Sequence, residues 1–266
     1  MTDQPLSDLD VAHAMADAAR AVILPYFRAH DLSADNKDAA GFDPVTQADR
    51  AAEEAMRAVL ARHRPQDGIW GEEFGQSRGD SGRLWVLDPI DGTRGFISGT
   101  PTWGVLIAVG PEGQGPDLGM IDQPYIQERF WGNAGGAFCR GPAGLSRLQT
   151  RAARDLGAAI LFTTFPEVGR SQDRAGFEAV GNAVQLVRYG MDCYAYALLA
   201  AGQIDLVIEA GLNAYDIQGP LAVIEAAGGI VTDWRGGAVH QGGQVLAAAN
   251  ADIHASALKR LSPFAG

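Results

Sequence analysis

The chain opens with two stretches in which apolar residues recur at helical spacing. Residues 6–27 carry apolar side chains every three or four positions, which predicts one long amphipathic helix. A polar stretch over residues 31–43 interrupts this pattern. Thr46 is then predicted to cap a second helix, which ends near Pro65 because proline cannot continue a helix.

Short apolar runs separated by turn residues follow the second helix. They predict strands over residues 69–70, 83–87, 103–109, 118–122 and 128–131, with a turn over 110–115. Beyond about residue 141 the pattern changes, and strands are predicted to alternate with helices. These strands cover residues 158–163, 183–187, 204–208, 229–232 and 245–249, and the helices cover 171–181, 192–201, 217–227 and 251–261. We therefore predict two abutting subdomains, an α+β subdomain over residues 1–141 and an α/β subdomain over residues 142–266.

Composition and charge narrow the possible functions. Apolar residues make up 47% of the 266 residues, enough for a sizeable core, and the net charge is −11. Because that charge repels nucleic-acid backbones and anionic membranes, we expect neither as a partner. No apolar run reaches the roughly 18 to 20 residues of a membrane span. Residues 1–10 do not resemble a signal peptide, and Cys139 and Cys193 show no CxxC spacing, so we expect a cytoplasmic protein with buried, reduced thiols.

Several common catalytic motifs do not occur in the sequence. There is no GxSxG elbow, no HExxH motif and no phosphate-binding GxxxxGK[ST] loop. The histidines at positions 13, 30, 63, 240 and 254 are scattered without close pairing. A zinc site and a nucleophilic serine therefore have little support.

Acidic residues instead gather at the end of a predicted strand. The run Trp85-Val-Leu-Asp-Pro-Ile-Asp-Gly-Thr93 delivers Asp88 and Asp91 together, and Glu72 and Glu73 follow an earlier strand. Asp-Pro and Asp-Gly are also ordinary turn dipeptides, so two consecutive turns would explain the same residues. As a site, crowded carboxylates repel one another unless a cation neutralises them, and Mg²⁺ prefers such oxygen ligands.

Three further positions have both a structural and a functional interpretation. The segment from Gly92 through Thr93 to Arg94 could open a helical turn whose amides bind an anion such as a phosphate ester, or Gly92 could simply complete a turn. Asp216 precedes the helix predicted over 217–227, where it is either an N-cap or a ligand at a strand-to-helix junction. Asp49 lies in the second helix and is either a solvated charge or part of the site.

At these residues the chain resembles the inositol monophosphatase family of magnesium-dependent phosphatases. The similar segments span roughly residues 37–232 and are Asp43-Pro-Val-Thr-Gln-Ala-Asp49, Gly71-Glu-Glu73, Trp85 to Thr93, Tyr215-Asp216 and Glu225-Ala-Ala-Gly-Gly229. Within the family the chain is most similar to histidinol-phosphatases. That similarity lies in Arg94-Gly-Phe-Ile-Ser-Gly99, Trp103-Gly104, Ile121-Asp-Gln-Pro124, Tyr189-Gly-Met-Asp-Cys-Tyr-Ala-Tyr196 and Asp205-Leu-Val-Ile-Glu209. The resemblance implies a layered αβαβα sandwich combining α+β and α/β parts, and a homodimer.

The resemblance also implies a metal centre of two to three Mg²⁺ ions. Glu72, Asp88 and the Ile90 carbonyl would hold one ion, while Asp88, Asp91 and Asp216 would hold a second. A third, more weakly held ion would contact Glu72. All of these ligands except Asp216 belong to the N-terminal subdomain.

Catalytic roles follow from the same resemblance. Thr93 and Asp49 would orient and polarise the attacking water, and Glu72 would assist through its metal ion. Amides of Gly92 and Thr93 would bind the phosphate, with Arg94 beside them. The implied reaction is an in-line displacement without a covalent intermediate, in which the metal ions lower the pKa of water and stabilise the leaving alkoxide.

Residues on the organic side of the substrate are predicted from the same comparison. Glu209 lies at the position that contacts the organic part of the substrate in the family, and Asp192 belongs to the histidinol-phosphatase-like segment, although it could instead cap a helix. Two acids suit a cationic leaving group better than a polyol. Asp91 and Asp216 also border the substrate, and Arg188 is expected to meet its anionic side unless it is a strand-end surface charge.

The sequence departs from the family pattern in three places near these residues. Gly95 stands where alanine is expected, and Asn213-Ala214 replaces the usual Lys-Pro before Tyr215. Gly219-Pro220 replaces an Ala-Leu pair, and we expect Pro220 to be tolerated because it falls near the first turn of its helix.

Three functions are therefore compared. The first is Mg²⁺-dependent hydrolysis of L-histidinol phosphate to L-histidinol and phosphate in histidine biosynthesis. The second is the same chemistry on inositol monophosphate or another small sugar or nucleotide phosphate. The third, from a different class, is a non-catalytic regulator that keeps the fold, although the complete set of acids argues against it.

Overall fold

The computed structural model describes residues 6–29, 34–36 and 44–266. The polar stretch predicted over residues 31–43, which includes Asp43, lies outside the described residues apart from a short strand at 34–36. For Thr46 the structure describes the backbone and not the side chain. The helices are α1 (Asp8–Ile23), α2 (Gln47–His63), α3 (Thr93–Ser98), α4 (Ser171–Gly181), α5 (Tyr194–Ala200), α6 (Ala214–Ala226) and α7 (Ala251–Leu261). Short 3-10 turns cover Leu156–Ala158 and Ser262–Phe264.

The strands of the described residues form three sheets. The strands are β1 (Ala34–Asn36), β2 (Pro44–Thr46), β3 (Gly68–Gly71), β4 (Gly75–Ser77), β5 (Arg83–Asp91), β6 (Gly104–Pro111), β7 (Leu118–Gln123), β8 (Glu128–Asn133), β9 (Gly136–Gly141), β10 (Gly144–Arg147), β11 (Ile160–Thr163), β12 (Leu186–Tyr189), β13 (Leu206–Leu212), β14 (Ile230–Thr232) and β15 (Gly243–Ala248). β1 pairs with β2, and the eight-stranded sheet has the order β10-β9-β8-β7-β6-β5-β3-β4. The five-stranded sheet has the order β12-β11-β13-β15-β14.

The two large sheets are separated and flanked by helices, as the predicted αβαβα sandwich requires. Helices α1 and α2 pack on the outer face of the eight-stranded sheet, and α5 and α6 lie between the two sheets. Helices α4 and α7 cover the outer face of the five-stranded sheet. This layered arrangement confirms the predicted fold class.

Successive apolar side chains of the central strands point to opposite faces of each sheet, which explains why helices cover both faces. On β6, Leu106 joins the core between the sheets, whereas Val105 and Ile107 join the core beneath α1 and α2. On β13, Val207 faces the inner core and its neighbours Leu206 and Ile208 face α4 and α7. Successive side chains of a strand point to opposite faces, so apolar residues at both sets of positions need a helical layer on each side.

Helix α6 differs from the sequence expectation in two ways. It begins at Ala214 with Asn213 as its N-cap, so Asp216 lies inside the first turn and is not the cap. Pro220 therefore falls in the second turn, where its missing N–H leaves the Asp216 carbonyl without the usual helical donor. The same stretch of the helix packs closely on β7, where a Cβ at Gly119 would lie 2.2 Å from the Gly219 carbonyl oxygen.

The predicted boundaries of one further helix and one strand were also wrong. Helix α5 begins at Tyr194 with Cys193 as its N-cap, so Asp192 does not cap it, and the strand predicted over 183–187 is β12, shifted toward the C-terminus. Cys193 is buried as expected, but Cys139 is only half-buried. Strands β1, β2, β4, β9 and β10 were not predicted from the sequence. The subdomain boundary at residue 141 stays a prediction.

Candidate active site

A cavity of about 350 Å³ opens where the end of β5 meets elements from the C-terminal half of the chain. Its walls are formed by the end of β5, the start of α3, the residues after β11, the end of β13 and the start of α6. The lining residues include Glu72, Asp88, Ile90, Asp91, Gly92, Thr93, Arg94, Thr164, Phe165, Asp192, Glu209, Tyr215 and Asp216. The cavity therefore brings together most of the predicted site residues.

Asp88 and Asp91 reach the cavity because β5 is irregular at its end. The pairing of β5 with β6 shifts register between Asp88 and Asp91, and Pro89 in that interval cannot donate a ladder hydrogen bond. Each of Asp88, Asp91 and Asp216 offers a carboxylate oxygen that lies within 4.8 Å of the other two. Asp91 Oδ2 accepts a 2.7 Å hydrogen bond from the Cys193 amide, and Asp216 Oδ2 accepts one of 2.7 Å from the Asn213 amide.

The electrostatics of this cluster favour a cation. Burial raises the pKa of Asp88 well above its usual range, and the charges of Glu72 and Asp91 raise it further. Burial, with Asp192 and Asp216 nearby, does the same for the pKa of Asp91. Asp88 Oδ1 is buried and has no hydrogen-bond partner among the described residues. A hard divalent cation would satisfy that oxygen and neutralise the repulsion, so these residues fit a Mg²⁺ site.

A second acidic cluster lies beside the first. Asp49, in the first turn of α2, and Glu72 and Glu73, after β3, offer carboxylate oxygens within 4.8 Å of one another. The fully buried Glu53 shapes this turn by accepting hydrogen bonds from the Glu73 amide (2.7 Å) and from Arg57 (2.7 Å). A Cβ at Gly71 would lie 1.9 Å from Glu53 Oε1, so only glycine leaves room for this arrangement.

The segment after Asp91 forms the helical turn that the sequence predicted. Gly92 is left-handed, with φ of 84°, and α3 begins at Thr93. The Thr93 hydroxyl donates to the Ile90 carbonyl at 3.3 Å. An ideal Cβ at Gly92 would lie 2.7 Å from Asp192 Cγ, so glycine satisfies both the backbone conformation and the close approach of the Asp192 carboxylate.

Asp192 and Glu209 form the acidic part of the cavity away from α2. Asp192 has a φ of 46° and accepts a 2.7 Å hydrogen bond from the Thr102 hydroxyl, and burial raises its pKa. Glu209 accepts hydrogen bonds from the Thr164 amide (2.7 Å) and hydroxyl (2.9 Å). Burial raises the pKa of Glu209 to about 7 despite these hydrogen bonds.

Two predicted residues lie outside the cavity lining. Asp49 belongs to the neighbouring acidic cluster described above. Arg188 is exposed on β12, where its guanidinium lies 5.8 Å from the centre of the Phe162 ring. Its contact with substrate therefore stays a prediction with no support from the cavity.

Sequence reasoning missed the residues that hold the acids in place. Glu53, Thr102, Thr164 and the amide of Cys193 each fix a carboxylate or a turn of the site. Only Glu53 carried a sequence signal, because it lies four residues after Asp49 and four before Arg57 on one helix face.

Comparisons with known proteins found a matching family model and several similar proteins. The family model described as "Inositol monophosphatase family" matches residues 5–263. The chain is 42% identical to "Bifunctional phosphatase IMPL2, chloroplastic" of Arabidopsis thaliana, over 94% of this chain and 74% of that protein. It is 38% identical to the histidinol-phosphatase of Mycobacterium tuberculosis, over 96% and 98%.

Among solved structures, the chain is similar to an inositol monophosphatase from Zymomonas mobilis. The TM-score is 0.85 at 41% identity, over 96% of this chain and 97% of that one. Among the described helices, none combines the length and the apolar composition needed to cross a membrane.

Proposed function

The chain belongs to the inositol monophosphatase family, and we propose that it is a magnesium-dependent phosphatase whose substrate is L-histidinol phosphate. The general activity, hydrolysis of a phosphoric monoester, follows from the family. The metal, the substrate and the roles of individual residues are our proposals. The observation that carries the substrate proposal is the pair of carboxyl groups, of the half-buried Asp192 and the buried Glu209, in one cavity with the acidic cluster.

The metal ions would be held by the two acidic clusters. Asp88, Asp91 and Asp216 would share one ion, and Glu72 with Asp88 and the Ile90 carbonyl would hold another. When bound, Mg²⁺ supplies Lewis-acid chemistry, polarising phosphoryl oxygens and lowering the pKa of water. The buried Asp88 oxygen without a partner supports this assignment.

The remaining residues bind and orient. The amides of Gly92 and Thr93 would bind phosphoryl oxygens, and Arg94 would add positive charge at the same end of the cavity. The Thr93 hydroxyl donates its proton to the Ile90 carbonyl. The lone pairs of the hydroxyl oxygen would therefore be available to accept a hydrogen bond from the attacking water. Asp49 would orient that water from α2.

The organic side of the cavity carries two carboxyl groups, which suits an amine. L-histidinol carries an ammonium group and an imidazole, both of which can donate to carboxylates. Asp192 and Glu209 are each anchored by a threonine, so their positions are fixed before substrate arrives. Arg94 is the single basic residue in the described lining and lies on α3, the helix that begins at Thr93. Asp91 and Asp216 would border the substrate from the metal side.

Inositol monophosphate is the second candidate, favoured by the 41% identity to the Zymomonas mobilis enzyme. The two substrates differ in charge, since inositol offers hydroxyl groups and no cation. Variants that keep shape but remove charge therefore separate them. Asp192→Asn and Glu209→Gln preserve acceptors for Thr102 and Thr164.

The test measures phosphate release from L-histidinol phosphate and from inositol 1-phosphate, with and without Mg²⁺. We expect Mg²⁺-dependent activity that prefers L-histidinol phosphate, and a loss of that preference in both variants. Glu112→Gln removes one charge from an exposed turn and is the matched control. A wild-type preference for inositol 1-phosphate would replace the first candidate by the second. Inactivity on both substrates with Mg²⁺ present would favour a non-catalytic role.

We also propose a cytoplasmic homodimer, as the family resemblance implies. Sedimentation equilibrium should then give twice the 28.0 kDa mass of one chain, and a monomeric mass at micromolar concentration would contradict the dimer. Fractionation of cells followed by immunodetection tests the location.

A further inference from the structure

We propose that Phe165 is a specificity-determining residue, whose ring stacks against the planar imidazole of the leaving group. This inference rests on the proposed function, because it identifies a wall of the same cavity. Nothing in the sequence motifs pointed to Phe165, which lies in the segment between β11 and α4.

Phe165 belongs to the wall of the cavity. Its side chain lines the cavity and remains 42% exposed. It follows Thr164, whose amide and hydroxyl both hold Glu209, and Phe165 and Glu209 line the same cavity. The partly exposed ring adds a flat aromatic surface to a cavity rich in carboxylates.

A contact with Arg94 fixes the ring from the other side of the cavity. The Arg94 guanidinium lies 4.7 Å from the centre of the Phe165 ring, within cation–π distance. Arg94 belongs to α3 and Phe165 to the segment after β11, so this contact joins the two walls. The guanidinium covers one face of the ring, and since 42% of Phe165 is exposed, we expect a second planar group to reach the ring.

Position also distinguishes Phe165 from the other aromatic residue of the lining. Tyr215 immediately precedes the proposed metal ligand Asp216 at the start of α6, on the metal side. Phe165 lies on the side of Glu209, where the leaving group of a phosphate ester must extend. Imidazole is flat and aromatic and can stack there, whereas the hydroxylated ring of a polyol presents no π face.

The chemistry therefore separates two contributions to binding. The ammonium group would be recognised by Asp192 and Glu209, and the imidazole by Phe165. An ester that has the ammonium group but no ring, 2-aminoethyl phosphate, uses only the first contribution. Aromatic pairing predicts a roughly 3- to 10-fold effect confined to the substrate with the ring.

The experiment compares Phe165→Leu and Phe165→Tyr with the wild type on L-histidinol phosphate and 2-aminoethyl phosphate, in the Mg²⁺-loaded enzyme. We expect Phe165→Leu to raise KM for L-histidinol phosphate roughly 3- to 10-fold with kcat little changed, and Phe165→Tyr to retain the wild-type KM. The kcat/KM for 2-aminoethyl phosphate should stay within about 2-fold. Inhibition by the product L-histidinol should weaken by the same factor as KM rises.

A matched control removes a similar aromatic residue elsewhere. Tyr125 is 43% exposed and lies 4.5 Å beneath the Arg28 guanidinium, outside the cavity lining. Tyr125→Leu should leave both KM values unchanged. If Phe165→Leu changes neither substrate, or impairs both equally, the stacking role is wrong while the proposed function stands. If the wild type does not prefer L-histidinol phosphate to 2-aminoethyl phosphate, the proposed substrate and the stacking role are both wrong.

Discussion

A single methyl group at Gly92 should disturb the site both through its backbone conformation and through a collision. Gly92 has a φ of 84°, in the left-handed region, and it immediately precedes α3. An ideal Cβ would lie 2.7 Å from Asp192 Cγ, 2.8 Å from Asp192 Cβ and 2.9 Å from Asp192 Oδ2. Gly92→Ala therefore imposes backbone strain and a collision with a residue from the other half of the chain.

The two costs can be separated by a control. Placing an L-residue in the left-handed region costs about 1–2 kcal/mol. Overpacking a filled space adds about 1–3 kcal/mol, so we expect Gly92→Ala to lower the free energy of unfolding by about 2–5 kcal/mol. Gly113 has a similar φ of 79°, and a Cβ there would meet no atom within 4 Å. Gly113→Ala should therefore show only the first cost.

Urea unfolding at equilibrium measures both variants, and a double-mutant cycle identifies the collision. Asp192→Gly removes the three atoms nearest to the new methyl group, and glycine accepts the φ of 46° found at position 192. The coupling between Gly92→Ala and Asp192→Gly should exceed about 1 kcal/mol, since contacting residues do not act additively. Equal losses in Gly92→Ala and Gly113→Ala, or additive effects in the cycle, would refute the reasoning.

The remaining predictions concern three acids. Asp91→Asn should abolish activity and the rise in Tm on adding Mg²⁺, without weakening the metal-free fold, because Asn still accepts from the Cys193 amide; an unchanged Mg²⁺ effect in calorimetry would contradict this. Burial raises the pKa of Glu209 in the folded protein from 4.5 to about 7. The contribution of its protonated form to the free energy of unfolding is therefore fully present below pH 4.5 and is lost as the pH rises through 7. Glu209→Gln should therefore stabilise the metal-free protein at pH 8 by up to about 3 kcal/mol and flatten the pH dependence of urea unfolding, whereas parallel curves would be inconsistent. Asp122→Ala removes the buried carboxylate that pairs with Arg20 and Arg129, and it should lower the free energy of unfolding, measured in urea, by about 3–5 kcal/mol. A loss below about 1 kcal/mol would show that these two ion pairs do not stabilise the fold.

Local patterns explain why most of the fold could be predicted from the sequence. The apolar run of β6 and the helical spacing of α2 each report burial directly, so their existence and type followed from periodicity. The Asp88 to Thr93 motif was equally informative, because a strand end, a proline and a glycine restrict where two carboxylates can point. These signals lie within a few residues of one another.

What could not be predicted depends on contacts between distant segments. The Cys193 amide reaches Asp91 across 102 positions, and Thr102 reaches Asp192 across 90. Helix α6 begins three residues earlier than expected, and the Asp216 carboxylate accepts a hydrogen bond from the amide of its N-cap Asn213, which the interpretation of Asp216 as the cap had concealed. Strand β10 is exposed along its whole length, so no pattern of burial marked it.

The acids that would perform the chemistry also oppose the folded state when no cation is present. Burial and mutual repulsion raise the pKa values of Asp88 and Asp91, which means that the folded chain is penalised for ionising them. Asp88 and Asp91 come from the eight-stranded sheet, whereas Asp216 comes from α6 in the C-terminal half. A cation bound among the three would relieve repulsion that each half imposes on the other, and at 100 times its dissociation constant it would add about 2.7 kcal/mol to stability. Metal binding and the union of the two halves should therefore be thermodynamically linked, so a substitution that removes one acid can stabilise the metal-free protein while it destroys the function.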